Sequence, residues 1–298
     1  MEWLKAMQEA INYMEEHLLE NINYVDAAKS VFMSSYNFHK IFTLMAGMTA
    51  NEYIRNRRLS LAGQELQIGD SSVLDVALKY GYESPDSFTR AFSKFHGVTP
   101  KQAKNRGVSL RLFNPLVIKV SLEGGATMEY RLERKESQRF LVLARSFSSE
   151  MLQAAGQDSV PDFWKECHDK NLVEPIRNLR PSGKRDLYGI NCPSKQETNS
   201  YLYGIGIVVD ENTKPFSQEE LLKQGFSLWE TKPMDYIVLK SYGDNGASIR
   251  DMWSRFFKEF VPQTNFEYIE EIDYEVYFEH REDGLFCEIW IPVIKKKN

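Results

Sequence analysis

The sequence lacks the features of several classes of protein. It has three cysteines in 298 residues, Cys167, Cys192 and Cys287, with no CxxC spacing, which argues against a disulfide framework and a zinc knuckle. No apolar run approaches the roughly 18–20 residues that a membrane helix needs. The N-terminal segment is acidic and amphipathic, unlike a secretory signal. We therefore expect a reduced, cytoplasmic protein with no membrane partner.

Histidine is also scarce, and its five residues are scattered through the chain. Cys167 and His168 are adjacent, but no second pair of ligands lies at a useful spacing. The glycine-containing stretch GIGIVV, residues 204–209, opens no predicted helix, which argues against a phosphate-binding loop. We expect no metal and no cofactor.

The composition is that of a folded chain of about two domains, with 42% hydrophobic and 27% charged residues. Its net charge of −5 conceals a basic block. Residues 29–111 carry twelve Lys or Arg against six Asp or Glu, whereas residues 1–28 and 112–298 have net charges of −5 and −6. Such a block suits contact with phosphates, although a locally basic stretch also arises by chance in a chain of this length.

Residues 1–106 have the periodicity of helices. An apolar stripe over residues 3–18 recurs at intervals of three and four residues. Thr49 and Glu52 have the spacing of a capping box, which marks the start of a helix. The dipeptide Ser84-Pro85 has the N-cap-then-proline pattern of another helix start.

The helical block contains an internal repeat. Residues 27–49, AAKSVFMSSYNFHKIFTLMAGMT, resemble residues 76–99, VALKYGYESPDSFTRAFSKFHGVT. Each copy is predicted to be a short helix, a tight turn and a second helix, in which Phe38 and Phe88 take matching inward positions. The pattern therefore predicts two helix-turn-helix units.

The outward face of each second helix carries residues suited to DNA. Arg90 and Lys40 can donate to guanine O6 and N7, and Asp86 can accept from cytosine N4. Basic side chains on the connecting helix and after it suit phosphates: Arg55, Arg57, Arg58, Lys94, Lys101, Lys104 and Arg106. The alternative for Asp86 and Arg90, four residues apart, is that they pair on a solvated face.

The segment GYESPDSFTRAFSKFHGVTP, residues 81–100, resembles the signature of the AraC/XylS family of bacterial transcription regulators, and the resemblance covers about residues 3–106. It implies two helix-turn-helix subdomains joined by one long helix, with both recognition helices in successive major grooves of a double-stranded DNA operator. The family usually has glycine where Phe32 stands, so we expect a different angle between the first pair of helices. The DNA contacts expected from the residues and the resemblance together are Tyr36, Asn37, His39, Lys40, Arg55, Pro85, Asp86, Ser87, Thr89, Arg90 and Lys94.

The remaining two thirds of the chain have a different pattern. Residues 107–126 resemble a linker, which we expect to pack on one domain. Residues 127–298 are β-rich and repeat a strand-helix-strand-strand plan, in which FLVL at 140–143 parallels YIVL at 236–239. The predicted fold class is therefore α+β in two domains: an all-α double helix-turn-helix domain over residues 1–106, then an α+β domain of two pseudo-symmetric strand-helix-strand-strand units with a central groove.

The closing strand, FCEIWIP, carries the strongest indication of a site. Alternation places Glu288 and Trp290 on one face, where a carboxylate beside aromatics is costly if it is buried without a partner. The pair suits a desolvated cation, because the ring attracts the charge and the carboxylate balances it. The alternative is that Glu288 is exposed on an edge or pairs with a lysine. Further candidates to line the groove are Tyr188, Tyr203, Trp164 and Trp253.

Residues 124–295 resemble the GyrI-like effector-binding domains of multidrug-responsive regulators, on the repeated plan, on GGATMEYRLERKESQRFLVLA and on CEIWIPV. In several such domains the closing-strand glutamate contacts a hydrophobic, often cationic, ligand, and Glu288 matches that position. The resemblance implies a one-component, multidrug-sensing transcription regulator, not an enzyme, whose partners are DNA, a small effector and RNA polymerase. Two alternatives remain for this domain: a protein-interaction module without a ligand, and a hydrolase of an electrophilic toxin.

Overall fold

The computed structural model describes most of the chain, in two compact units over residues 1–123 and 124–298. Residues 119–126 of the expected linker lie outside the described residues. No helix in the described part combines the length and the apolar character that a membrane span requires. The described ranges are 2–69, 71–118, 127–148, 159–193, 200–243, 246–280 and 284–296.

The first unit is built from helices, and those from Tyr24 onward begin at side-chain caps. They are α1 (Glu2–Glu16), α2 (Tyr24–Ser30), α3 (Ser35–Ala46), α4 (Ala50–Ile68), α5 (Val73–Lys79), α6 (Pro85–His96) and α7 (Pro100–Ala103). The Thr49 side chain accepts from the N–H of Glu52, and the Glu52 carboxylate accepts from the N–H of Thr49, which is the predicted capping box. The pairs α2–α3 and α5–α6 form two helix-turn-helix units, and α4 joins them.

The turns of the two helix-turn-helix units share one backbone conformation. Phe32 has φ 56° and Gly81 has φ 83°, both in the left-handed region. A non-glycine residue there costs roughly 1–3 kcal/mol, and the Phe32 ring is 100% exposed, so it gains no packing in return. Phe32 thus adopts the left-handed φ of the glycine that it replaces, and the different angle between the first pair of helices stays a prediction.

The second unit is an antiparallel sheet with helices against one face. Its strands are β1 (Arg131–Lys135), β2 (Arg139–Ser148), β3 (Leu187–Pro193), β4 (Ser200–Val209), β5 (Phe226–Glu230), β6 (Met234–Tyr242), β7 (Phe266–Tyr268), β8 (Asp273–Tyr277) and β9 (Leu285–Lys295). Its helices are α8 (Val160–Asp169), α9 (Glu174–Arg177), α10 (Gln218–Lys223), α11 (Gly246–Arg255), a π-helical turn (Phe256–Phe260) and α12 (Val261–Gln263).

The strand order confirms the predicted pseudo-symmetry. The order is β1-β6-β9-β8-β3-β4-β2-β5, and β7 pairs with β9 outside this path. Exchanging β1, β2, β3 and β4 with β5, β6, β8 and β9 reproduces the same order read from the other end. Each half has one strand more than the predicted strand-helix-strand-strand plan, because two strands precede its helix where the plan has one. The first of these two strands pairs in the other half: β1 pairs with β6, and β5 pairs with β2.

The register assigns side chains to the two faces of the sheet, since paired residues in antiparallel strands point to the same side. On one face, which we call the helix face, Phe147 of β2 packs against Phe163 of α8 with ring centroids 5.9 Å apart. The other, which we call the aromatic face, holds a buried cluster that includes Tyr236, Tyr274 and Trp290. The site described next lies on the aromatic face.

Candidate functional site

A cavity of about 540 Å³ lies on the aromatic face of the second unit. That volume is within the range of small-molecule sites. Its wall combines aromatic rings with five charged side chains. The lining residues are Arg131, Glu133, Lys135, Gln138, Tyr188, Lys240, Tyr274, Val276, Phe278, Glu288 and Trp290.

Strand pairing brings residues that are far apart in sequence together in this wall. Glu288 of β9 lies between Lys240 of β6 and Val276 of β8. Val276 is in turn opposite Tyr188 of β3. Two residues further along β9, Trp290 lies opposite Tyr274 of β8. The period of two along each strand therefore fixes the composition of the wall.

Glu288 is buried and makes a two-point ion pair. Its side chain is 7% exposed, and Arg131 donates from Nη1 to Oε1 and from Nη2 to Oε2, both at 2.6 Å. The Trp290 Nε1–H donates to Oε2 at 3.3 Å. These hydrogen bonds to Glu288 raise the pKa of the Arg131 guanidinium above its usual value. The sequence left open an exposed Glu288 or a lysine partner, whereas the structure gives it a buried position and an arginine partner.

The Trp290 ring is the centre of the aromatic wall. It stacks on Tyr274, with centroids 5.6 Å apart and planes 16° apart. Two cations of β1 approach the same ring: Lys135 Nζ is 4.8 Å from its centroid and Arg131 Cζ is 5.5 Å. These distances are within the range of cation–π attraction.

The structure brings Tyr188, Glu288 and Trp290 together but places the other expected groove residues elsewhere. Tyr203 points to the helix face, because its neighbours Gly204 and Gly206 take the aromatic face of β4. Successive residues of a strand point to opposite sides, and Tyr188 shares its face with its partner Gly206, so Tyr203 lies on the other face.

The two expected tryptophans also lie away from the cavity. Trp164 of α8 donates from Nε1 to the Tyr203 hydroxyl at 2.8 Å, and that hydroxyl donates to Glu275 at 3.1 Å. Trp253 of α11 stacks on Phe257, with centroids 5.9 Å apart. The expectation that Trp164, Trp253 and Tyr203 line the groove is therefore wrong, because a helical tryptophan packs on the helix face of this sheet.

The pseudo-symmetric halves differ in chemistry at this site. By strand pairing, Gly204 and Gly206 of β4 correspond to Glu288 and Trp290 of β9. A Cβ on Gly204 would lie 2.9 Å from the Trp229 ring, so Trp229 packs where the other half has its carboxylate. Among the described residues of the two paired strands β4 and β9, the second half has a carboxylate beside a tryptophan where the first half has two glycines.

Four charged lining residues were missed from the sequence: Arg131, Glu133, Lys135 and Lys240. Arg131, Glu133 and Lys135 alternate along β1 and therefore share the aromatic face. The alternation in RLERK was available as a signal, but nothing in the sequence showed that this strand pairs with β6.

In the first unit, α6 presents the predicted recognition face. Phe88 and Phe92 are fully buried. Pro85, Asp86, Arg90 and Lys94 are exposed, whereas Ser87 and Thr89 are half-buried. The Ser87 hydroxyl donates to the Ser84 carbonyl at 2.8 Å and so belongs to the helix cap.

Asp86 and Arg90 do not pair with each other. Both residues lie in described helix, and no ion pair within 4.0 Å joins them. The alternative in which they neutralise each other on a solvated face is thus absent from this structure, and both remain available to a ligand.

The first recognition helix differs from its expected form. Tyr36, Asn37, His39 and Lys40 of α3 are all buried, with 8% exposure or less. The His39 ring packs edge to face on Tyr24 at 5.1 Å, and Lys40 Nζ lies 5.8 Å from the Tyr36 ring. Burial lowers the pKa of His39 to about 4. The prediction of an exposed outward face on α3 is wrong for this structure, because these four side chains are buried, with His39 against Tyr24 of α2 and Lys40 over the Tyr36 ring.

Several basic residues expected at phosphates have structural partners instead. Arg57 makes hydrogen bonds to both carboxylate oxygens of Glu15 at 2.8 Å. Arg58 donates to the carbonyls of Leu18 at 2.7 Å and Glu20 at 2.6 Å, in the turn that follows α1.

Lys104 likewise has a structural partner, since it donates to the Ser71 carbonyl at 2.9 Å. Arg55 is exposed, and its nearest carboxylate, Glu52, lies 4.0 Å away. The basic side chains left open to a phosphate are those of Arg55, Lys94, Lys101 and Arg106.

Residues 108–118 form an extended segment, which we call the strap, that lies along the first unit. Backbone N–H groups of the strap donate to side chains of α6, α4 and α1: Arg111 to His96 Nδ1 (3.2 Å), Phe113 to Ser60 Oγ (3.0 Å), Leu116 to Tyr53 Oη (3.1 Å) and Ile118 to Gln8 Oε1 (3.0 Å). The strap therefore ties together helices from both helix-turn-helix halves.

Two family models match the chain. Residues 27–106 match a model described as a helix-turn-helix domain, and residues 131–293, more than half of the chain, match one described as an integron-associated effector binding protein. The HTH-type transcriptional regulator YbfP of Bacillus subtilis is 40% identical over 100 residues, which are 34% of this chain and 34% of that protein. The probable transcription factor PqrA of Proteus vulgaris is 35% identical over 104 residues, which are 34% of this chain and 85% of that protein.

A solved structure is similar to the second unit. SAV2435 bound to tetraphenylphosphonium is 15% identical, has a TM-score of 0.44, and covers 56% of this chain and 94% of its own. The family models and the relatives define a DNA-binding transcriptional regulator. The chain belongs to the AraC-type helix-turn-helix regulators and carries a second domain of the integron-associated, GyrI-like effector-binding family.

Proposed function

We propose that this regulator senses a small aromatic cation, which binds the cavity beside Glu288 and Trp290, and that it reads its operator chiefly through α6. The observation that carries the first part is the Arg131 guanidinium. A planar, delocalised cation already lies against the Trp290 ring and on both oxygens of the carboxylate. The site therefore has the stereochemistry to bind such a cation.

The rest of the wall supports an aromatic ligand. The cavity volume suits one drug-sized molecule. Tyr188 and Tyr274 flank the carboxylate and extend the apolar surface that a lipophilic ligand would bury. A cavity of this volume with an aromatic and charged wall favours a ligand-binding domain over an interaction module.

A catalytic role for Glu288 has less support. Both of its oxygens accept hydrogen bonds from Arg131, so neither is a free base for a water molecule. We infer that the domain binds its ligand without transforming it.

The DNA side of the proposal rests on the exposed face of α6. Arg90 is exposed there and suits a guanine, while Lys94 and Arg55 suit phosphates. The buried residues of α3 are not available for contact in this conformation. We place the regulator in the cytoplasm, where its DNA is, with RNA polymerase as a further partner.

The ligand part is tested by isothermal titration calorimetry on the full chain with two probes of matched shape. Methyltriphenylphosphonium is a cation, and triphenylphosphine oxide is its neutral counterpart. We expect Glu288→Gln to weaken cation binding about tenfold or more, which corresponds to about 1.4 kcal/mol or more, because the cation loses its charge partner in a partly buried site. The neutral probe should be affected less. Glu166→Gln on the helix face, which removes a carboxylate paired with Arg145, is the control. Equal loss for both probes would contradict the charge role, and no binding of either probe would contradict the site.

A further inference from the structure

We propose that Arg131 is the resident counter-cation of the effector site, so that a cationic effector binds by displacing Arg131 from Glu288. The inference rests on the proposed function and adds a residue that sets which ligands can bind. Arg131 would exclude weak or highly hydrated cations and admit those that bring enough aromatic surface to compensate for the lost ion pair.

The first argument is occupancy. Arg131 takes both oxygens of Glu288, and the Trp290 Nε1–H takes a further position on Oε2. Lys135 lies over the Trp290 ring at 4.8 Å, on the surface that a second cation would use. An incoming cation thus finds the carboxylate and the ring already engaged by side chains of β1.

The second argument is charge. The cavity is lined by three basic and two acidic residues, Arg131, Lys135, Lys240, Glu133 and Glu288. With Arg131 in place, the wall carries a net positive charge and repels a cation. With Arg131 turned out of the wall, the remaining charges balance. Displacement of Arg131 therefore changes the geometry of the site and removes its net positive charge.

The third argument is that Arg131 can leave. Its side chain is 40% exposed, although that of Glu288 is 7% exposed. Arg131 Nε also donates to Glu133 at 3.0 Å, and Glu133 is itself 37% exposed. A rotated Arg131 therefore keeps a carboxylate partner in solvent, which lowers the cost of releasing Glu288.

The position of β1 in the chain links this displacement to the rest of the protein. Among the described strands, β1 is a five-residue edge strand whose pairing partner is β6. It is the first described strand after the strap, which ends at residue 118. An effector that removes Arg131 from Glu288 takes away a side-chain anchor of β1, so the amides of this strand should exchange faster with solvent.

The test is the binding of methyltriphenylphosphonium and triphenylphosphine oxide to the full chain and to two variants of β1. Arg131→Gln removes the proposed competitor. Arg134→Gln removes the same charge from the same strand, but its side chain is 61% exposed and pairs with Asp235 outside the cavity wall. We expect Arg131→Gln to tighten cation binding about tenfold or more, because the incoming cation no longer competes with a two-point ion pair. Arg134→Gln should change the affinity for either probe less than about twofold. Arg131→Gln should tighten binding of the cation more than binding of the neutral probe, because only the cation competes with Arg131 for the Glu288 charge.

Hydrogen exchange on the wild-type chain gives a second readout that does not depend on a variant folding. Saturating cation should speed exchange of the β1 amides, and the neutral probe should not. Unchanged or weaker cation binding in Arg131→Gln, or unchanged β1 exchange at saturation, would overturn the inference. If the cation binds the wild type and loses affinity in Glu288→Gln while Arg131→Gln has no effect, only this inference fails. If no form binds the cation, the proposed function fails with it.

Discussion

Replacing Phe32 by glycine should stabilise the protein. Phe32 has φ 56° and a fully exposed ring, so it bears the cost of the left-handed conformation without packing. That cost is roughly 1–3 kcal/mol, and the extra backbone freedom of glycine in the unfolded chain offsets about 0.5–1 kcal/mol of it. We therefore expect a net gain of about 1 kcal/mol. The equivalent turn, with Gly81 at φ 83°, already has this arrangement.

Urea unfolding of the full chain, followed by the helical circular dichroism signal, measures this gain as a higher midpoint with an unchanged slope. Phe32→Ala is the matched control, because alanine loses the ring but keeps the left-handed strain. It should leave stability nearly unchanged. An equal gain in Phe32→Ala would show that removing the exposed ring matters, not relief of the backbone, and a loss in Phe32→Gly would refute the reasoning.

Three further predictions concern the first unit. Arg90→Ala should lower the binding free energy for the specific operator by about 1–3 kcal/mol and relax the preference at one base pair, whereas Lys94→Ala should weaken binding to all sequences alike. Fluorescence anisotropy with labelled DNA measures both. Normal operator binding by Arg90→Ala would mean that the recognition face assigned to α6 is wrong. Tyr53→Phe should lower stability by about 1–3 kcal/mol, because the hydroxyl donates to Glu15 at 2.7 Å and accepts from the strap, and unfolding that matches the wild type would contradict that role. The pKa of His39 is about 4 in the folded chain and near 6.5 in the unfolded chain, so the stability that the neutral buried ring contributes is complete above pH 6.5 and is lost as the pH falls to 4. Acidification from pH 6.5 to pH 4 should therefore lower the stability of the wild type by about 3 kcal/mol more than that of His39→Leu. Equal losses in the two proteins would show that the ring is not buried.

Much of the fold was predictable because local signals and packing agree. The caps at Thr49 and Ser84 give the starts of two helices, and the inward phenylalanines of each repeat give their buried faces. The second repeat predicted the pseudo-symmetric plan, which the strand order confirms. In each case the period of the apolar residues leaves one face of the helix or strand that is favourable to bury.

The candidate site was only half predictable. Alternation along the closing strand gave Glu288 and Trp290, since that information is local. The ion-pair partner of Glu288 could not be predicted in this way, because Arg131 is 157 positions away in the sequence. Arg131 reaches Glu288 because β1, the first strand of one half, pairs with β6 of the other half. Tyr203 shows the same limit: its place on the helix face depends on the register of β4, which no short motif specifies.

The burial of the His39 ring on α3 also depends on a residue outside its own helix. The spacing of His39 and Lys40 places them on the side of α3 opposite its phenylalanines. Spacing within one helix does not show which other parts of the chain pack on that side. Tyr24 of α2 is buried against His39, which a helical-wheel argument on α3 alone does not include. The polar side chains of α6 have no such neighbour and remain on the surface, as expected.

The most direct test of the central claim is a crystal structure of the full chain with methyltriphenylphosphonium. The account predicts the cation in the cavity, with its phosphorus within about 6 Å of the Trp290 ring and its charge facing Glu288. It also predicts that Arg131 has left both oxygens of Glu288 and pairs with Glu133 alone. A cation bound elsewhere on the chain, or an empty cavity at saturating concentration, would contradict the account.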